Sequence, residues 1–135
     1  MERSLQELVW RRAEGVCEYC LLPSMLHPVP FQIDHIIAQQ HGGETIESNL
    51  ALACLRCNTH KGPNIAGIDP VTREIVPLFH PRTQRWDQHF RWDGPILTGV
   101  TPSARATIFV LDINHAVRVA LRASLIEEGL FPPHR

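Results

Sequence analysis

Residues 17–61 read CEYCLLPSMLHPVPFQIDHIIAQQHGGETIESNLALACLRCNTHK. The stretch opens on Cys17-Glu18-Tyr19-Cys20 and reaches Cys54-Leu55-Arg56-Cys57 near its end, and these knuckles hold all four cysteines of the chain. Two Cys-x-x-Cys turns can present four thiolates tetrahedrally, which is the coordination of structural zinc. The gap between the pairs is longer than the commonest two-knuckle spacing, and a hairpin lying between them accommodates it. A pair of disulfides or a redox Cys-x-x-Cys is the competing reading. The first ten residues, MERSLQELVW, show no apolar export segment, so disulfides fit poorly and a cytoplasmic location is expected. A thioredoxin-like site would need a βαβ pattern, which the sequence does not show. A closed four-thiolate site has no open coordination position, so zinc held by Cys17, Cys20, Cys54 and Cys57 is expected to be structural, its binding energy serving as folding energy.

Hydrophobic patterning fills in the rest of the stretch. Phe31–Ala38 carries Phe31, Ile33, Ile36 and Ile37 and predicts a short strand, Gly42-Gly43 a turn, and Leu50–Ala53 a second strand. A short helix carrying Asn58 and Lys61 should follow Cys54 and stop at Gly62-Pro63. Upstream, Ser4 and Glu7 read as a capping box opening a helix that Gly15 ends. Downstream, Glu74–Val76 and Ile96–Gly99 read as strands. Thr101-Pro102 reads as an N-cap with proline at the first helical position, and it outweighs the strand propensity of Thr107–Val110. Asn114 is expected to cap a final helix with Val117, Ala120, Leu121, Ser124 and Leu125 on one face and Gly129 just past its end.

Between and just after the knuckles stand Asp34-His35-Ile36, Gly42-Gly43, Ser48-Asn49-Leu50 and Asn58-x-x-Lys61. In order and spacing this set resembles the HNH endonuclease family, the ββα-metal fold in its zinc-knuckle form, as found in short stand-alone bacterial proteins. The third letter of the family name is here Asn58, an HNN variant, which exchanges an imidazole nitrogen for an amide oxygen. The resemblance covers residues 17–61. It implies an α+β fold: a ββα-metal core stapled by the four-cysteine zinc site, flanked by an N-terminal helix and a mixed strand and helix C-terminal extension. One domain spanning residues 1–135 is expected, with its core at 15–66 and its extension at 67–135.

Phosphodiester hydrolysis needs an activated water, charge stabilisation at the phosphate and help for the leaving oxygen. Asp34 is a hard oxygen donor suited to Mg²⁺ or Mn²⁺, and Asn58 offers a second protein oxygen. His35 is then the general base. Adjacent strand residues point to opposite faces, and the resemblance implies that a twist or bulge at the strand end brings Asp34 and His35 to one site. The resemblance implies that Asn49 fixes the loop facing His35. Lys61, three residues after Asn58, shares its helical face and is expected at a phosphate oxygen.

Charge bears on the partner. The 135 residues hold 13 basic and 14 acidic side chains, a net charge of −1, and Lys61 is the only lysine. Arginine is the better fork for phosphate oxygens, yet near-neutrality predicts weak, salt-sensitive DNA binding by the chain alone. Arg82, Arg85 and Arg91 are candidates to grip the DNA backbone and Trp86 to stack on it; alternatively Trp86, Phe90 and Trp92 pack the extension onto the core. No apolar run is long enough to span a bilayer. The expected function is metal-dependent nicking of DNA. The alternatives are a nuclease subunit active only within a larger restriction, phage or mobile-element assembly, and a non-catalytic zinc-stapled module that binds nucleic acid or protein. The sequence does not exclude RNA as substrate, and leaves the oligomeric state open.

Overall fold

The first knuckle is set up by the helix before it. In the computed structural model, which describes residues 1–134, α1 (Arg3–Ala13) buries Val9 and Ala13 and ends where Glu14 and then Gly15 adopt left-handed conformations. The expected stop at Gly15 is therefore observed. The expected start is not: the N-cap position is Glu2, it makes no side-chain cap, and Ser4 lies inside the helix. The chain then folds back on itself, with Cys17 N–H donating to the Leu22 carbonyl and Val16 bridging Pro23, which makes the knuckle a tight loop.

Strands β1 (Gln32–His35) and β2 (Leu50–Ala53) pair antiparallel, with Asp34 opposite Ala51 and His35 opposite Leu50. The first strand is shorter than Phe31–Ala38 because the chain bends at Ile36 and Ile37. All four residues of β2 are buried. Its outer edge is closed by side chains: Arg12 donates to the Leu50 carbonyl, and the Glu18 carboxylate accepts from Leu52 N–H. An edge so covered cannot recruit another strand. Helix α2 (Leu55–Lys61) follows at once, capped by Cys54, whose sulfur accepts from Cys57 N–H, and ended by Gly62. This is the expected ββα unit, with the knuckles at its two entrances.

The extension adds two further hairpins, β3 (Ala66–Ile68) with β4 (Ile75–Pro77) and β5 (Phe90–Asp93) with β6 (Ile96–Gly99). Strands β3 and β5 are not among the expected elements. Helix α3 (Pro102–Val110) begins as expected, with Thr101 Oγ1 accepting from Ala104 N–H. Helix α4 (Ala116–Glu127) is capped by His115 and not by Asn114, whose amide instead pairs with both backbone groups of Leu97 on β6. Its buried face matches the expected one only in part: Leu125 is buried and Leu121 packs half-buried against the core. Arg118, Arg122 and Leu125 point inward, while Val117, Ala120 and Ser124 are exposed. Gly129, at a positive φ, lies just past the helix as expected.

The core joins these parts. Val9, Tyr19, Leu52, Phe79, Phe90, Leu111 and Leu125 belong to one buried apolar cluster. The aromatic alternatives separate here. Trp86 stacks on Phe90 at 5.0 Å between ring centroids and donates its indole N–H to the Tyr19 carbonyl, and Trp92 meets Phe131 edge-on at 5.0 Å. Trp86 ties the extension to the first knuckle, and Trp92 packs within the extension against Trp86 and Phe131. Among the described residues no helix is long and apolar enough to cross a membrane.

Candidate metal centre and active-site cleft

The two knuckles bring Cys17, Cys20, Cys54 and Cys57 together, all buried, with their four sulfurs within 4.8 Å of one another. None is in a disulfide. The chemistry of this donor set fits zinc. A zinc–sulfur bond of about 2.3 Å in tetrahedral geometry places sulfurs about 3.8 Å apart, and the Cys20 and Cys54 sulfurs are 3.8 Å apart. The set is closed by protein on every ligand, which makes it a structural site.

A second cleft opens where β1 ends against α2, and it is lined by Asp34, His35 and Asn58 together with Ile33, Ala38, Gln39, Gly62 and Pro63. Strand alternation alone would separate Asp34 from His35. The strand stops at His35, and the bend that follows lets both neighbours border the same cleft.

Each side chain there has a partner that orients it. Asp34 accepts a hydrogen bond from the Tyr19 hydroxyl at 2.7 Å and faces Lys61 Nζ at 3.2 Å. Burial pushes the Asp34 carboxyl above its ordinary range, and the Lys61 ammonium and the Tyr19 hydroxyl offset only part of that shift. His35 pairs through Nε2 with Thr45 Oγ1 at 2.9 Å. Asn58 donates its amide N–H to Gln32 Oε1, and its amide oxygen makes no hydrogen bond among the described residues. Gln32 and Asp34 are two apart on β1 and so share a strand face, which the spacing alone implies.

Asn49 closes the loop after His35. Its Oδ1 accepts from Ile37 N–H at 2.9 Å, and its Nδ2 donates to the carbonyls of Ile37 at 3.0 Å and Glu44 at 2.9 Å. Gly43 is required at the same point, because a Cβ there would fall 1.7 Å from the Ile37 carbonyl oxygen.

Lys61 departs from expectation. It is only 1% exposed, and its three ammonium hydrogens are taken by Asp34 and by the carbonyls of His35 and Ile36. No donor is left for a phosphate. The reason is the short helix: α2 turns its last residue inward under the end of β1, where three acceptors converge. The arginines also differ among themselves. Arg82 is drawn inward to Glu18, with burial and the neighbouring Arg12 pulling its pKa down to about 10. Arg85 and Arg91 lie on the surface, the first 3.7 Å from Asp87 and the second on the carbonyls of Asp87 and Phe90. No sequence motif marks Tyr19 or Thr45, which meet their partners 15 and 10 positions away.

Comparison with known proteins agrees with the geometry. Residues 17–64, a segment that holds both knuckles and the cleft residues Asp34, His35 and Asn58, match the family model described as HNH endonuclease. No curated protein matches the chain.

Proposed function

We propose that this protein hydrolyses phosphodiester bonds in DNA, one strand at a time, in the cleft between β1 and α2. One observation carries the reading: Asp34, His35 and Asn58 line one cleft within the segment that matches the HNH endonuclease family model. Asp34 and Asn58 supply the oxygen donors that would hold Mg²⁺ or Mn²⁺, and the carboxylate keeps acceptor capacity beyond its bonds to Tyr19 and Lys61. When bound, a divalent ion supplies positive charge to the phosphate and the leaving oxygen. His35 takes the proton from the attacking water. Thr45 occupies Nε2, which leaves Nδ1 as the nitrogen available for that proton. Asn49 keeps the loop beyond His35 in place, and Arg85 and Arg91 offer surface contacts to the DNA backbone, with Arg82 set further in. Residues 1–135 work as one domain, in a reducing compartment such as the cytoplasm that keeps the thiols free.

The net charge of −1 favours a second reading, in which the chain cuts only within a larger assembly that supplies the grip on DNA. Plasmid nicking with Mg²⁺ or Mn²⁺ tests the first. His35→Ala should lose activity by about 10²–10⁴-fold while keeping its fold. Equal cutting by a folded His35→Ala protein overturns the mechanism. No cutting by the isolated wild type, against cutting on addition of the intact assembly, selects the second reading. A parallel RNA substrate checks the choice of nucleic acid.

A further inference from the structure

Helix α4 places two buried arginines beside the cysteine centre, far from them in sequence. Arg118 Nη2 donates to Cys57 Sγ at 2.9 Å, and its other terminal nitrogen donates to the carbonyls of Leu111 at 2.6 Å and Asp112 at 3.2 Å. Arg122, one turn on, bonds the carbonyls of Pro95 and Ile113 and the Asn114 side chain, and its guanidinium lies 5.2 Å from the centre of the Trp92 ring. Both residues border the slot that Cys20 and Cys54 also line. They are 6% and 3% exposed, and neither meets a carboxylate among the described residues.

Carbonyls and a ring solvate a guanidinium but do not neutralise it, and a buried charge without a counter-charge is costly. Disulfides or neutral thiols would give these arginines no net negative charge. Four thiolates around one divalent ion carry a net charge of −2, which two guanidiniums balance. We infer that Arg118, backed by Arg122, is the built-in counter-charge of the four-cysteine metal centre, so that metal retention and docking of α4 depend on each other. The hydrogen bond to Cys57 holds that sulfur in place and withdraws electron density from it, while the metal-centred charge holds α4 down. This gives the extension a part in the centre that no local sequence pattern announces. The inference rests on the cysteine centre and not on the nuclease reading, and none of its tests involves DNA.

The test uses the full zinc-loaded chain. With excess chromophoric chelator, Arg118→Gln should release zinc about 10–100-fold faster than wild type, the range typical of lost partners to metal ligands. Arg118→Lys, which keeps the charge but not the fork, should fall between them. Arg11→Gln, at an exposed position on α1, should release zinc at the wild-type rate. In the cobalt-loaded chain, Arg118→Gln should move the sulfur-to-cobalt charge-transfer band to lower energy, with the d–d bands of tetrahedral cobalt unchanged. Wild-type release rates in Arg118→Gln, or an unmoved charge-transfer band, overturn the inference. If Arg118→Gln holds no metal at all, Arg118→Lys decides. Metal retained by the lysine variant supports the charge argument, and metal lost from it assigns Arg118 a role of shape alone.

Discussion

The Lys61 ammonium lies 3.2 Å from an Asp34 carboxylate oxygen, the two side chains being 1% and 5% exposed. This buried pair ties the last turn of α2 to the end of β1, beneath the cleft. Breaking such a pair from one side strands the other charge, at a cost of about 3–5 kcal/mol. Lys61→Met should therefore lower unfolding free energy by that amount in urea titrations of zinc-loaded protein. Adding Asp34→Asn should recover part of the loss, because the stranded carboxylate is removed. Strict additivity of the two single losses would show that the residues do not act as a pair.

The loop behind His35 makes a sharper steric prediction. Gly43→Ala forces a Cβ into the Ile37 carbonyl and to 2.9 Å from Asn49 Nδ2. It should cost about 3 kcal/mol or more and depress nicking, since the Asn49 staple must move. Gly42→Ala meets no atom within 4 Å and suffers only from its φ of 89°, so its cost should be about 1–2 kcal/mol. Thermal unfolding of the two variants side by side measures the contrast.

Trp86 offers a test of what the extension's aromatics do. Its stack on Phe90 and its bond to the Tyr19 carbonyl predict that Trp86→Ala loses about 3 kcal/mol of stability. Trp86→Phe should keep most of the packing and lose about 1 kcal/mol, the worth of one hydrogen bond. Chemical denaturation gives both values. A neutral Trp86→Ala would return the residue to the surface role of stacking on nucleic acid.

Acid stability should report on Asp69, whose carboxylate accepts from Arg105 Nε and Nη2 at 2.9 Å each. That fork, helped by the Val71 N–H and the Thr72 hydroxyl, holds the Asp69 carboxyl well below the usual carboxylate range. A group whose pKa is lower folded than unfolded stabilises fully above its unfolded value of about 3.9 and loses that contribution as pH falls toward the folded one. Wild type should thus exceed Asp69→Asn in stability by a constant margin from pH 8 to pH 6. The margin should shrink only on acidification below about pH 4. A margin that varies between pH 6 and 8 would assign the effect to another group.

Sequence spacing by itself determined the parts of this protein that are local. Two Cys-x-x-Cys turns specify a four-sulfur centre because each knuckle fixes its own pair of thiols. The run Leu50–Ala53 and the cap at Cys54 specify strand and helix through patterning over a few residues. The Asn49 staple was legible through the resemblance, since it bonds backbone only five and twelve positions away. Tertiary structure alone decided the pairs that span the chain: Lys61 turned inward to Asp34, Tyr19 supporting the same carboxylate, Trp86 on the first knuckle, and Arg118 on Cys57, 61 positions apart. A lysine or arginine reads as solvent-facing in any local window. It becomes buried only when distant segments bring enough acceptors or negative charge to replace its water, and that supply exists only once the chain has folded.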